Sequence, residues 1–328
     1  MESALARIRV MRLVLICGTI IMLFKFLAWY LTASNAVLTD ALESVVNVLA
    51  GGVALYALHY ASKPKDHDHP YGHGKIEYFS TGFEGGMIAV AGLVMTVKGV
   101  LALLEHNELQ KLDWGVGITA VSGIANYLLG SLLIRKGKEL HSVTLVADGK
   151  HLLTDTWSSI GLVVGLVIMY YTEMFWIDAV ITVGFGIMIT VTGFKLIQES
   201  VFNLLDTADN EKLTHIISLL NSKRVGNWID LHNMRVLKYG SVVHVDCHMT
   251  FPWFYTLEQV HEEVENVARL VTEELPHEVE FFIHTDPCRP KACAICSLND
   301  CKERKMPFQR RLEWTVENVL PNRSHSAE

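Results

Sequence analysis

Charge is scarce over most of the chain. Residues 13–197 hold few Asp, Glu, Lys or Arg for their length, while residues 207–328 hold 32 of the 63 such residues and 8 of the 15 His. A soluble protein seldom segregates charge in this way. An excess of basic charge is also missing: 28 Lys and Arg stand against 35 Asp and Glu, a net charge of −7. No basic stripe interleaved with aromatics occurs, so nucleic acid is not an expected partner. The first apolar stretch lacks a small-residue cleavage site and is long enough to span, so no cleavable signal peptide is expected. Nor is there a nucleophile–base constellation or a nucleotide loop, and the chain does not read as an enzyme.

What is present is apolar length. A hydrocarbon core of about 30 Å takes about 20 helical residues. Six segments reach that length, near 10–31, 36–61, 80–104, 114–134, 145–171 and 176–198. The expectation is an all-α domain of six transmembrane helices over residues 1–206. Arg7, Arg9 and Arg12 precede the first span, Lys63, Lys65 and Lys75 follow the second, and Arg135, Lys136 and Lys138 follow the fourth. The opposite loops, TASN, EHNELQKLD and TEMFWID, contain one Lys. The positive-inside rule therefore places both termini in the cytoplasm of a multi-pass protein, and the cell (inner) membrane is its expected location.

Two pairs of polar residues interrupt the apolar runs: Glu43 with Asn47, and His151 with Asp155. A spacing of four puts both members of a pair on one helix face, one turn apart. Ionisable groups at membrane depth mark ion paths or proton relays. Carboxylate, amide and imidazole together form a ligand set for a divalent metal. Without metal such groups hold protons, and metal binding expels them, which is the chemistry of metal–proton exchange. One His and no Cys make an oxygen-rich site, which shifts preference toward manganese or iron(II); zinc is kept ahead of both. The alternative for each pair is polar packing between helices. Asp40 and Asp148 precede the pairs and read as structural or entry residues, while Glu84 and Lys98 carry no assigned role.

The charged part reads α-β-β-α-β. Residues 209–223 form an amphipathic helix, and strands run over about 232–238, 241–250 and 278–284. The second strand alternates, with Val243, Val245, Cys247 and Met249 on one face and His244, Asp246 and His248 on the other. Thr256 and Gln259 fit a capping box that opens a helix running to about Glu274. The expected fold is a cytoplasmic α+β domain over 207–290, then a Cys-containing tail over 291–328 whose last ~20 residues start as a short helix and fray. Cys288, Cys293, Cys296 and Cys301 form a C-x4-C-x2-C-x4-C run. In a reducing compartment this reads as a candidate metal site, zinc ahead of an iron–sulfur cluster, with reduced thiols as the alternative.

The loop HPYGHGKIEYF at 69–79, the run SNAVLTDALES entering the second span, HLLTD in the fifth and IHTDPC at 283–288 together resemble the cation diffusion facilitator family of metal–proton antiporters. The resemblance implies a homodimer in a lipid bilayer, with a ferredoxin-like cytoplasmic domain. It implies a transport metal site on Glu43, Asn47, His151 and Asp155, where Glu and Asn depart from the family's zinc pattern. It implies a loop metal site on Asp66, His69 and His73, with Lys75 and Glu77 fixing the loop by ion pairing. A cytoplasmic site follows from it on His232, His248, His261, His284 and Asp286, binuclear and at the dimer interface, with structural or regulatory zinc. No cofactor beyond the transported metal is expected for transport itself. The leading reading is thus secondary active efflux of a divalent metal against protons, zinc first. The alternative is a membrane metal sensor or scaffold on the same fold, without turnover.

Overall fold

The computed structural model describes residues 2–32, 35–104, 113–172, 176–240, 242–274 and 278–326, in two compact units, Met1–Leu205 and Asp206–Glu328. The first unit is helical: α1 (Glu2–Thr32), α2 (Asn35–Ala61), α3 (Ile76–Leu104), α4 (Asp113–Glu139), α5 (Val143–Thr172) and α6 (Trp176–Leu204). Among the described residues four stretches are long and apolar enough to cross a membrane: Ala4–Leu27, Ser44–Ala61, Ile76–Leu101 and Thr182–Leu204. The loops around 105–112 and 173–175, used above for orientation, lie outside the described residues.

These helices are apolar all round. Leu13, Leu23, Phe24 and Leu27 on α1 point outward, as do Val90, Val94 and Val97 on α3. That surface suits hydrocarbon and would be unstable in water. Association then depends on close backbone approach rather than on apolar burial. At the α3–α6 contact a Cβ on Gly92 would lie 2.5 Å from the Thr190 nitrogen, and one on Gly193 would meet the Ala89 backbone. Helices α1, α2, α4 and α5 share a second cluster, with Met11, Ala54, Leu58, Leu133, Leu145 and Leu152 buried.

The second unit holds α7 (Asn210–Lys223), β1 (Asp230–Tyr239), β2 (Val242–Phe251), α8 (Leu257–Glu274), β3 (Glu278–Pro287), a 3₁₀ turn (Pro290–Ala294) and α9 (Val316–Val319). The sheet order is β1-β2-β3, antiparallel between β1 and β2 and parallel between β2 and β3. Helix α7 is capped by Asp209, whose side chain accepts from the Lys212 N–H at 3.2 Å. Despite its own desolvation, Lys238 and Lys212 hold the Asp209 carboxyl below the usual range. The capping box of α8 is present: the Thr256 N–H donates to Gln259 Oε1 at 2.9 Å, and the Gln259 N–H to Thr256 Oγ1 at 3.3 Å.

Both helices cover one sheet face. Leu213, Ile216, Ile217 and Leu220 of α7 and Val267 and Val271 of α8 meet Val243, Val245, Cys247 and Met249 of β2. Burial there raises the Cys247 thiol. Trp314 and Val319 join this core, so the C-terminal segment is built into the domain. Arg224 clips it down. Its guanidinium donates to the carbonyls of Trp228 (2.8 Å), Leu312 (2.6 Å) and Ile229, and lies 3.9 Å over the Trp314 ring. Burial, with Arg311 nearby, lowers Arg224 to about 10. The expected fraying does not extend to His325, whose N–H donates to Asp230 Oδ2 at 2.8 Å. The tether comes from a residue 95 positions away, which no local pattern could indicate.

Candidate metal sites

Asn47 of α2 joins the two residues singled out on α5. Its Nδ2 donates to Asp155 Oδ2 at 2.5 Å, and His151 Nε2 lies 2.9 Å from its Oδ1. His151 Nε2 and Asp155 Oδ2 are themselves 4.0 Å apart. His151 is 5 % exposed, so the group sits well inside the helices. Helical spacing on α5 aims both side chains at α2, and spacing on α2 sets Glu43 one turn before Asn47. The side chains of Asp40 and Glu43 lie outside the described residues. A cavity of about 40 Å³ reaches the group, lined in part by Ser44, Asn47, Asn126 and Asp148. It has room for a few waters.

Asp148 is 3 % exposed and Glu84 of α3 is fully buried. Their charges lie near enough to influence one another. Glu84 therefore neither snorkels nor pairs with Lys98, which is exposed.

The loop between α2 and α3 gathers Asp66, His69 and His73 within 4.8 Å of one another. Asp66 is the hub: its Oδ1 lies 3.0 Å from His69 Nδ1 and its Oδ2 3.2 Å from His73 Nε2. It also accepts the backbone N–H groups of Asp68 (3.1 Å) and His69 (2.7 Å), an Asx turn that fixes the loop. Gly72 completes the turn at φ +90°, a conformation that favours glycine. Against desolvation, the His69 N–H and the two imidazoles hold the Asp66 carboxyl below its ordinary value. Glu77 is ion-paired, with a partner on α1: Arg7 Nη1 lies 3.0 Å from Oε1, and Ser142 donates to Oε2 at 2.8 Å. The pair thus ties α1 and the start of α5 to the base of the loop.

In the second unit the sheet register lines up three histidines. His232 on β1 faces His248 on β2, which faces His284 on β3. Asp286, two residues on, shares their face. His232, His248 and Asp286 come within 4.8 Å of one another. Asp286 Oδ2 lies 3.1 Å from His248 Nδ1 and 3.4 Å from His232 Nε2, while its Oδ1 is 3.6 Å from His284 Nε2. His261 stands apart among the described residues, exposed on α8 and paired with Glu265 at 3.2 Å. A β-bulge follows His232, with Asn233 at φ +49°. His244, expected on the open face, is 3 % exposed, packed against Tyr239 and 3.3 Å from Glu280.

Two residues of this site have no counterpart in the sequence reading. Asp230 Oδ2 lies 3.4 Å from His232 Nδ1, the ring nitrogen turned away from Asp286. Its Oδ1 lies 2.7 Å from His325 Nδ1. A carboxylate behind an imidazole is the usual device for orienting a metal-ligating ring. Desolvation opposes it, but His232 and His325 hold Asp230 below the usual carboxylate range. In return, the hydrogen bond to Asp230 raises His325. Asp230 could have been found from the two-residue period of β1; nothing local marks His325.

Cys288, Cys293, Cys296 and Cys301 are all free thiols and all line one cavity of about 360 Å³. Burial raises both Cys288 and Cys296.

Residues 11–205 match the family described as the cation efflux transmembrane domain, and residues 208–288 match the cation efflux protein cytoplasmic domain. The chain is 32 % identical over 251 residues to an uncharacterized transporter of Synechocystis sp., covering 76 % of this chain and 81 % of that one. It is 26 % identical over 276 residues to the cation-efflux pump FieF of Yersinia pestis, covering 83 % and 89 %, with the same figures for FieF of Yersinia pseudotuberculosis. Two matched domains in the expected order, on a membrane-type helical unit and a small α/β unit, make this chain a member of the cation diffusion facilitator family of cation efflux transporters.

Proposed function

We propose that the protein exports a divalent transition-metal ion, zinc first with manganese and iron(II) as competitors, in exchange for protons. The transport site is Glu43, Asn47, His151 and Asp155, carried by α2 and α5 of a six-span domain. The observation that supports it most is the Asn47 amide, hydrogen-bonded at once to His151 and Asp155 across two helices. Metal ligands must converge, and these three already do. In the metal-free arrangement His151 Nε2 is engaged by the amide oxygen and Asp155 by the amide nitrogen. A metal entering takes those same donor atoms, so the ring must release any proton held at Nε2. Proton and metal thereby compete for one set of atoms, and alternating exposure to the two membrane faces turns that competition into antiport.

In the same reading the loop trio on Asp66 is a second metal site. The histidine row with Asp286 is a regulatory zinc site in a ferredoxin-like cytoplasmic domain, completed across a homodimer by His261 and the row of a second chain. Both termini lie in the cytoplasm. The test is zinc uptake into proteoliposomes with internal pH followed at the same time. Wild type should show zinc flux coupled to opposite proton movement, and Asp155→Ala should show none while still inserting. Undiminished flux in that variant would overturn the site, and no flux in wild type would leave a metal sensor.

A further inference from the structure

The four cysteines that follow β3 stand outside both matched family domains except for Cys288 at the boundary. They surround a cavity of about 360 Å³ rather than closing on a point. Cys288 directly follows the strand, Cys293 lies in the 3₁₀ turn, and Cys296 and Cys301 follow in the next loop. They face the space from different stretches of backbone.

A mononuclear zinc site demands a tight tetrahedron, in which Zn–S bonds of about 2.3 Å put the sulfurs about 3.8 Å apart. Among the described residues, the groups of three or more ligand atoms within 4.8 Å of one another are the Asp66 trio and the His232 trio. No three of these sulfurs form such a group, although the imidazole and carboxylate sites elsewhere are drawn tight without metal. A cubane cluster asks for something different: four thiolates, each on its own iron, spread around a bulky core.

The cavity has three further properties of such a site. Backbone N–H groups point at two of the sulfurs: Trp253 at Cys288 Sγ (3.4 Å) and Lys305 at Cys293 Sγ (3.5 Å). Hydrogen bonds to the sulfurs are among the protein's means of setting a cluster's potential. Part of the lining is apolar, with Ile229, Pro252, Phe254 and Leu298, and behind it Cys296 packs with Ile229, Ala292 and Ile295. The lining carries a net positive charge, with Arg289, Arg304 and Lys305 against Glu303, which lies 3.7 Å from Lys305. Arg304 also fixes the backbone that carries the thiols, donating to the carbonyls of Cys293 (2.9 Å), Cys296 (3.1 Å) and Leu298 (2.7 Å). Positive charge there offsets the net negative charge of a cluster held by four thiolates.

We propose that Cys288, Cys293, Cys296 and Cys301 hold a four-iron, four-sulfide cluster in this cavity, in place of the single zinc that their sequence spacing suggests. This assignment is independent of the transport site, which lies in the other unit.

The test uses the full-length chain in detergent, purified without oxygen from cells supplied with iron and cysteine, and again after reconstitution with ferric iron, sulfide and a thiol reductant. The expected result is about four iron and four acid-labile sulfide per chain, with broad visible absorption that bleaches under dithionite. Mössbauer spectra should show iron in a cubane environment. Cys296→Ser and Cys301→Ser should each bring labile sulfide down at least tenfold, while Cys17→Ser keeps the wild-type amount. About one zinc per chain with no labile sulfide would overturn the proposal, as would iron without sulfide, which is what the histidine sites alone would hold. Two iron and two sulfide would overturn the four-iron assignment. If the serine variants fail to fold, the wild-type iron-to-sulfide ratio still decides.

Discussion

Replacing Asn47 by Ala separates a ligand from a spacer. The amide makes two hydrogen bonds, to the Asp155 carboxylate at 2.5 Å and with His151 at 2.9 Å. A bond to a charged group contributes about 1.5–3 kcal/mol and a neutral one about 0.5–1.5 kcal/mol. The two are not additive, because they share one side chain. If Asn47 also offers its oxygen to the metal, Asn47→Ala removes both the convergence of the site and one of its donors. Taking about 1.5–3 kcal/mol as the loss, the half-saturating metal concentration should rise about 10- to 100-fold. Asn47→Asp acts in the opposite sense. It sets a second carboxylate where the amide lies 2.5 Å from Asp155. Two carboxylates that close cannot both stay ionised without metal, so one holds a proton. Protons released per metal should then increase by about one, and selectivity should move toward zinc. The assay is metal uptake into proteoliposomes against pH, with zinc, manganese and iron(II) in competition. An unchanged half-saturation in Asn47→Ala, together with an unchanged selectivity order in Asn47→Asp, would show that the amide only packs two helices together.

Four further outcomes follow from the geometry. Gly193→Val should loosen α3 from α6, since even a Cβ would lie 2.6 Å from the Gly85 carbonyl; a cost of about 1–3 kcal/mol should appear as a lower melting temperature in detergent. Arg224→Ala should cost about 1–3 kcal/mol by leaving buried carbonyls of the second domain without a donor, and limited proteolysis should then cut near Trp314 faster than in wild type. The Asp230–His325 pair predicts a stability window. Depressed Asp230 contributes above its unfolded value of 3.8 and loses that as pH falls through its folded value; raised His325 contributes below 6.5 and loses that as pH rises through its folded value. Thermal unfolding of the full chain should therefore weaken on both sides of that interval, and His325→Ala should remove the alkaline limb. Finally, His248→Ala combined with His284→Ala should abolish the metal-dependent change in distance between labelled C-terminal domains and lower transport at low metal while leaving it measurable at high metal. No metal-dependent change in wild type would sink that reading.

Periodicity made much of this protein legible. Apolar runs near 36–61 and 80–104 correspond to α2 and α3 because lipid-facing helices need no polar face. The alternation in 241–250 corresponds to β2 because one face packs under α7 and α8. The pairing of Glu77 shows where such reasoning stops. Its charge and loop position suggested an ion pair, but the partner is Arg7, 70 residues away. His244 shows a second limit. Strand alternation assigns a face, yet exposure depends on what covers that face, and Tyr239 with Glu280 leaves His244 buried. Spacing of cysteines likewise gives the donors without their separation, which only the folded loop sets.

The two histidine groups share a construction that spacing alone would not reveal. In each, one carboxylate sits among the imidazoles: Asp66 between His69 and His73, Asp286 among His232, His248 and His284. Without metal, the hub carboxylate offsets the cost of bringing rings together, because it can accept from their N–H groups. If these groups hold metal as proposed, the same oxygen would become a ligand and the rings would have to present bare nitrogens. Metal entry would then exchange imidazole N–H···carboxylate bonds for metal bonds at nearly fixed positions, with little reordering of the backbone. The expense falls on protons rather than on conformation, so affinity at both groups should drop on acidification while the apo and metal-bound sheets stay alike. Replacing the hub by its amide, Asp286→Asn, tests this directly. Asn keeps size and one acceptor oxygen but lacks the charge, so zinc affinity of the row should fall about 10- to 100-fold, in the range of charge-assisted contacts. Titration of full-length Asp286→Asn and wild type with zinc, in a background where Asp66→Ala removes the loop trio, isolates the row. Equal affinities would mean that the three rings bind without the hub.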